Sequence, residues 1–209
     1  MSDRIVRAIG LTGGIATGKT AISNYLADTY KFPILDADIY AREVVHPGSP
    51  ILNSIVERYG VLILLPDGNL NRSELGNIIF CNASERQWLE QQIHPYVRRR
   101  FVEATQICIA ALSQVSQNTL TFVLVVPLLF EAQMTDLCTE IWVVYCSPEV
   151  QLERLMQRDG LSCDRASARI NAQMPIAQKC QKADVVLDNS STLDSLFLQV
   201  DALLLTVDG

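Results

Sequence analysis

The residues best suited to chemistry form one short run, Gly13-Gly14-Ile15-Ala16-Thr17-Gly18-Lys19-Thr20, which follows the spacing G-x-x-x-x-G-K-[ST]. Glycines let the backbone turn its N–H groups inward with no Cβ in the way. Lys19 adds a mobile positive charge for the β and γ phosphates of a nucleotide, and the Thr20 hydroxyl is a ligand for Mg²⁺. Ala21 follows the run directly, inside the start of an expected helix whose N-terminus adds positive potential. The competing reading, a glycine-rich turn before a helix by chance, is outweighed by pattern and context together.

Such a loop needs a strand before it and a helix after it. Ile5 to Leu11 is a short apolar run of the kind expected for a buried parallel strand, and it enters Thr12-Gly13-Gly14 directly. A helix is predicted from about Lys19 to Thr29, with Ile22, Tyr25 and Leu26 on one face. Further strands are predicted at Phe32 to Leu35, Thr121 to Val126, Ile141 to Cys146 and Val185 to Leu187. Strands alternating with helices imply a parallel α/β sheet of five strands. Between the second and third strands lies a long stretch of helical pattern, read as an inserted helical region. Within it Val97, Phe101, Ala104, Cys108 and Ala111 mark one helical stripe, and Pro95 suits that helix's first turn. Ser147 as N-cap, Pro148 and Glu149 predict another helix running to about Arg158.

The loop alone does not choose among ATPases, GTPases and small-molecule kinases. No Asn-Lys-x-Asp guanine-reading motif is present, which disfavours a switch GTPase. The third strand runs into Pro127-Leu128-Leu129-Phe130-Glu131 without the aspartate usual in motor and transporter ATPases. The acidic group expected nearest the loop is Asp36-Ala37-Asp38, since the carboxyl ends of neighbouring parallel strands line one crevice. Two carboxylates there are able to divide the tasks of holding Mg²⁺ through water and accepting a proton from an attacking hydroxyl. Equally, both acids suit the cap of a helix starting near Ile39. Arg154 with Arg158, and Arg165 with Arg169, recur at helical spacing around Asp159-Gly160, suggesting a mobile lid that clamps phosphates. A solvated face is the alternative, and the better one for Arg165. Asn189, in the turn after the last strand, is a candidate adenine contact by its place at the strand ends, with a plain loop as the alternative.

Composition sets the outer bounds. A chain of 209 residues with 49% hydrophobic content buries roughly 70% of its unfolded surface and sustains a real core. A net charge of −6 gives no global attraction to nucleic acid or anionic lipid. Charges in Met1 to Arg7 leave no apolar signal core, and the run Phe122 to Phe130 is too short to span a membrane. The six cysteines are far apart, with no Cys-x-x-Cys pair, and read as reduced packing residues of a cytoplasmic protein.

Taken along its length, the sequence resembles the dephospho-CoA kinase family. The resemblance is carried by Leu11-Thr12-Gly13-Gly14-Ile15, Asp36-Ala37-Asp38 with Arg42, Pro47-Gly48, and Leu70-Asn71-Arg72 with Leu75-Gly76 and Phe80. It continues through His94-Pro95-Tyr96-Val97-Arg98, Pro127 to Glu131, Arg154 with Arg158, Gln173-Met174, Ala183-Asp184 and Asp188-Asn189. The resemblance implies a P-loop fold with a nucleoside-monophosphate-kinase-like core at about 1–36 and 119–209, a helical acceptor-binding insertion at about 37–118, and a lid at about 154–182. It implies transfer of phosphate from ATP with Mg²⁺ to the ribose 3′-hydroxyl of dephospho-CoA. Asp38 is then the catalytic base with Asp36 close by, and His94 and Arg98 help hold the acceptor. Arg98 also fits a solvated run with Arg99 and Arg100, and His94 a helix-end imidazole. Ala16 and Thr17 stand where the family more often has Gly and Ser. The rival expectations are a kinase for another small acceptor and a nucleotide-binding regulator without turnover. A monomer is expected, with a small-molecule substrate and neither nucleic acid nor membrane as partner.

Overall fold

The computed structural model describes residues 5–112 and 119–205, apart from the side chains of Phe80, Cys81 and Leu112. The readings that fall on residues 1–4, on the Cys81 thiol and on the insertion's end near 118 lie outside these residues. By contact, the chain divides into two compact units, Met1–Leu35 with Thr105–Gly209, and Asp36–Ala104.

The first unit is built on a sheet of β1 (Ile5–Gly13), β2 (Ile34–Asp36), β3 (Thr119–Val125), β4 (Glu140–Tyr145) and β5 (Val185–Asp188), in the order β2-β3-β1-β4-β5. β1 pairs in parallel with β3 on one side and β4 on the other, and β4 pairs with β5. Being central, β1 is buried from Ala8 through Gly13, which explains its unbroken apolar run. Its register sets Gly13 beside Val144, and the next pair outward sets Tyr145 beside Asp188. The carboxyl ends of β1, β4 and β5 therefore lie side by side where the chain order reverses, the usual place for a ligand crevice.

Helix α1 (Lys19–Tyr30) packs on this sheet through Ile22 and Leu26, both fully buried with β-strand residues Ile9, Leu11, Val123 and Val144. Each such side chain contributes about 1.5–3 kcal/mol. Tyr25, the third residue of the predicted face, is only half-buried. It stacks on Phe197 at 4.1 Å and donates its hydroxyl to Asp201, which also accepts from Tyr30, so that α1 is tied to the terminal helix at Leu193–Leu205.

The second unit contains α2 (Ala37–Glu43), α3 (Pro50–Tyr59), α4 (Arg72–Cys81) and most of α5 (Ala83–Leu112). It has its own core of Val44, Val45, Leu52, Ile55, Ile63, Leu70, Leu75 and Leu89. The proline expectation fails here: Pro95 does not open a helix but sits inside α5. A proline removes one N–H and crowds one carbonyl, and apolar anchors on both sides hold this helix together, Leu89 before it and Val97 and Phe101 after it. The predicted stripe is buried only at Val97 and Phe101, while Ala111 is exposed.

Arg58 and Tyr59 gather around Glu85 in this unit, and Trp88 packs against both of them. Glu85 accepts from the Arg58 guanidinium at 2.6 and 3.0 Å and from the Tyr59 hydroxyl at 2.7 Å. These bonds pull its carboxyl down to about 2 from 4.5. A depressed carboxyl contributes stability above the unfolded value and loses it as pH falls through the folded one. Melting temperature should therefore drop as pH is lowered from about 4.5 toward 2, and Glu85→Gln should flatten that part of the profile. Parallel profiles for the two proteins in a melting series would reject the assignment.

Candidate active site

The loop between β1 and α1 is shaped by its glycines. Gly13 and Gly18 have φ of +150° and +103°, the side of the map that L side chains rarely enter. A Cβ on Gly13 would meet the Val144 carbonyl, one on Gly14 the Gln151 amide and one on Gly18 the Asn189 amide. Ala16 takes φ +60° despite its Cβ, so at this position a glycine would sit without strain.

Fastening from outside holds the loop. Gln151 Nε2 donates to the Ile15 carbonyl at 2.8 Å, and Gln173 Oε1 accepts the Ile15 N–H at 2.8 Å. Asn189 Nδ2 donates to the Thr17 carbonyl at 2.8 Å, while Thr17 Oγ1 closes onto the Gly14 carbonyl at 2.9 Å. Two expectations change as a result. The Ile15 N–H already has a partner, so in this conformation it is not one of the inward phosphate donors. Asn189 is 2% exposed and supports the loop from behind instead of presenting its side chain to an adenine.

The remaining geometry suits an anion. Gly18 is the N-cap of α1 and has no side chain to occupy the first N–H groups, and the first turn holds no acidic residue. Lys19 Nζ is folded back over the loop, donating to the Gly13 and Gly14 carbonyls at 3.1 and 2.6 Å. Thr20 is exposed at the first turn. An uncapped helix start, a lysine held at the loop and glycine positions closed to any Cβ together fit a nucleotide polyphosphate.

Helix α6 (Pro148–Asp159) begins as expected, with the Ser147 hydroxyl accepting the Val150 N–H. It places Arg154 at the loop's flank, where Nη1 donates to the Asn189 carbonyl at 2.8 Å. One turn later Arg158 is exposed and paired with Asp159 at 2.8 Å, and Asp159 also accepts from Arg169 of α7 (Cys163–Asn171) at 2.8 Å. Arg165 is exposed. Thus the structure brings Arg154, Asn189 and the loop together, and sets Arg158 in an ion cluster with Asp159 and Arg169.

Asp36, Asp38, Arg42, His94 and Arg98 belong to the helical unit. Asp36 is the N-cap of α2, accepting the Asp38 N–H at 2.8 Å, so the capping role falls on one of the two acids. Helix α2 accordingly starts two residues before Ile39. Burial raises the Asp36 carboxyl above its usual range, with the Asp38 charge adding and Arg42 opposing. Asp38 itself is exposed in the first turn, and Arg42 lies one turn further on the same helix. His94 and Arg98 lie one turn apart on α5 and are both half-buried. Burial lowers the His94 imidazole, which favours its neutral, hydrogen-bonding form at neutral pH.

Gln151 and Glu131 had no place among the expected site residues, and Lys179 of α8 (Ile176–Gln181) none at all in the sequence reading. Yet Lys179 is fully buried and paired with Glu131 at 3.0 Å.

Comparison with known proteins adds the family. A curated protein of Trichormus variabilis named dephospho-CoA kinase is 58% identical over 196 residues, covering 93% of this chain and 95% of that one. The solved dephospho-CoA kinase of Campylobacter jejuni superposes with a TM-score of 0.65 at 27% identity, covering 95% of this chain and 98% of the other. A shikimate kinase from Bacteroides thetaiotaomicron shares the fold, with a TM-score of 0.54 at 16% identity over 95% of this chain and 98% of its own. The family model described as dephospho-CoA kinase matches residues 7–195, from the first strand through the phosphate loop, the helical unit and α6 to the final helix, so the chain belongs to the dephospho-CoA kinase family.

Proposed function

We propose that this chain transfers the γ-phosphoryl group of Mg-ATP to the ribose 3′-hydroxyl of dephospho-CoA, giving coenzyme A. The observation that carries the proposal is an intact phosphate cradle, with Lys19 at the loop and α1 uncapped, in a chain that the family model matches from residue 7 to 195.

Mg-ATP, when bound, would supply the transferable group and a cation that offsets negative charge on the phosphates. The N–H groups of Gly18, Lys19 and Thr20 hold the polyphosphate at the helix start, and Lys19 moves its ammonium from the loop carbonyls onto phosphate oxygens. Thr20, exposed at the start of α1, would give the metal its hydroxyl as a ligand. Asp38 accepts the proton of the attacking hydroxyl, and Asp36 fixes the start of α2 that carries it. Arg42, His94 and Arg98 hold the acceptor. Residues 154–182 act as a lid that closes with Arg154 and Arg158 on the phosphates and excludes water, the competing acceptor.

The deciding experiment is ATP consumption with and without dephospho-CoA, alongside AMP and shikimate as alternative acceptors. Turnover that requires dephospho-CoA, with product carrying one added phosphoryl group, supports the proposal. Turnover on another acceptor, or nucleotide binding without turnover, overturns it.

Arg158→Ala separates the lid role from a surface ion pair. Its partner in this structure is Asp159 and more than half of its side chain is exposed, so the exposed pair stabilises the fold by about 0–1 kcal/mol. If the guanidinium meets charge in the transition state, kcat should fall about 10²-fold with an unchanged melting curve. Steady-state kinetics equal to wild type would leave Arg158 as surface.

A further inference from the structure

Lys179 is a charged side chain with 0% exposure that the reaction scheme leaves without a task. Burying an ammonium is costly unless it is paired and hydrogen-bonded. Here its Nζ donates to the Pro127 carbonyl at 2.9 Å and faces Glu131 Oε1 at 3.0 Å and Oε2 at 3.3 Å. Both partners lie in the segment that follows β3. The Pro127 carbonyl also accepts the Thr12 hydroxyl at 3.2 Å, just before the phosphate loop.

Glu131 has a second task. Its Oε1 accepts the Met174 N–H at 2.9 Å. The carboxylate thus grips both ends of the stretch 174–179, once through a backbone amide and once through an ammonium. The residue immediately before that stretch is Gln173, whose Oε1 takes the Ile15 N–H. On the other side of the same peptide unit's residue, the Ile15 carbonyl is held by Gln151. Ile15 is therefore fixed through both its backbone groups by two glutamines from separate elements, and one of these is mounted on the Glu131–Lys179 pair.

We infer that Glu131 and Lys179 are positioning residues for the phosphate loop, acting through Gln173 on the Ile15 amide at the base of the lid segment. Lys179 is fully buried and acts through its partners. It sets where Gln173 stands, and Gln173 sets the turn that aims the following amides and Lys19. The inference rests on the phosphoryl-transfer reading for its function, but its structural content concerns nucleotide binding alone.

The test is calorimetric titration of the wild type, Glu131→Gln, Gln173→Ala and their double variant with Mg and a non-hydrolysable ATP analogue. A melting curve of each preparation accompanies it. Gln keeps the size of Glu131 but weakens its hold on Lys179, and Ala removes the acceptor of the Ile15 N–H. Each single variant should weaken analogue binding about tenfold, the effect of losing one well-placed hydrogen bond to a functional backbone. The double variant should bind no worse than Gln173→Ala alone, because Glu131 acts through Gln173. If Glu131→Gln does not fold, Glu131→Asp takes its place, keeping the charge for Lys179 while withdrawing it by one methylene. A lower melting temperature with analogue binding within twofold of wild type would show a structural pair only and overturn the inference. So would losses that multiply in the double variant. Failure of the wild type to phosphorylate dephospho-CoA while these binding effects hold would instead overturn the acceptor assignment and leave the positioning role standing.

Discussion

Lys19→Ala is expected to reduce phosphoryl transfer to dephospho-CoA by about 10³-fold, the scale for removing a charged group that faces developing charge on the phosphoryl oxygens. The reason lies in where the ammonium is kept. It rests on the Gly13 and Gly14 carbonyls at 3.1 and 2.6 Å, within the loop itself and close to where a polyphosphate would lie. Losing those two bonds removes roughly 1–3 kcal/mol of loop stability, which for a chain of this size lowers the melting temperature by about 2–12 °C without unfolding the chain at room temperature. Activity and stability are thus expected to separate sharply. Rapid-quench measurement of product beside a melting curve reads both. Transfer within tenfold of wild type would remove Lys19 from the reaction, and a collapsed melting curve would make it a structural lysine.

The loop was legible in the sequence because its chemistry is contiguous: phosphate cradling demands glycines, lysine and hydroxyl at fixed short spacing, and a strand and helix to either side. What holds the loop was not legible. Gln151, Gln173 and Asn189 reach Ile15 and Thr17 across sequence separations of 136, 158 and 172. A glutamine on a helix has no pattern that announces a distant backbone partner. Lys179 is the extreme case, since a lysine in a short polar helix reads as solvated, and only the fold shows its burial against Glu131.

Elements fared according to how strongly their own residues dictate them. β1 and α1 were placed to within two residues at each end, because the glycine turn fixes their junction. The short edge strand β2 lies two residues later at its start than Phe32 to Leu35 suggested, since so few residues carry little periodicity. Pro95 misled because local propensity favours a helix start there, whereas α5 is held on both sides of it by tertiary burial of Leu89, Val97 and Phe101. For Asp36-Ala37-Asp38 the sequence left a cap and a pair of functional acids in balance. The structure gives the cap to Asp36.

That division sharpens the test of Asp38. With Asp36 accepting the Asp38 N–H at 2.8 Å, the start of α2 does not depend on the Asp38 carboxylate for capping. What Asp38 adds to the fold is a negative charge in the first turn of a short helix, worth about 0.3–1 kcal/mol. Asp38→Asn removes the charge and the proton acceptor while keeping the size, so it should fold with a melting temperature lowered only slightly and bind Mg-ATP as wild type does. Asp36→Asn is the matched control: asparagine caps as well as aspartate, so stability should again hold, and without a role as base the loss of activity should be smaller. If Asp38 takes the proton of the attacking 3′-hydroxyl, its asparagine variant loses about 10²-fold or more in single-turnover transfer, the low end for general-base catalysis. Transfer within a few-fold of wild type would show that Asp38 is not the base, and a larger loss in Asp36→Asn than in Asp38→Asn would move that role to Asp36.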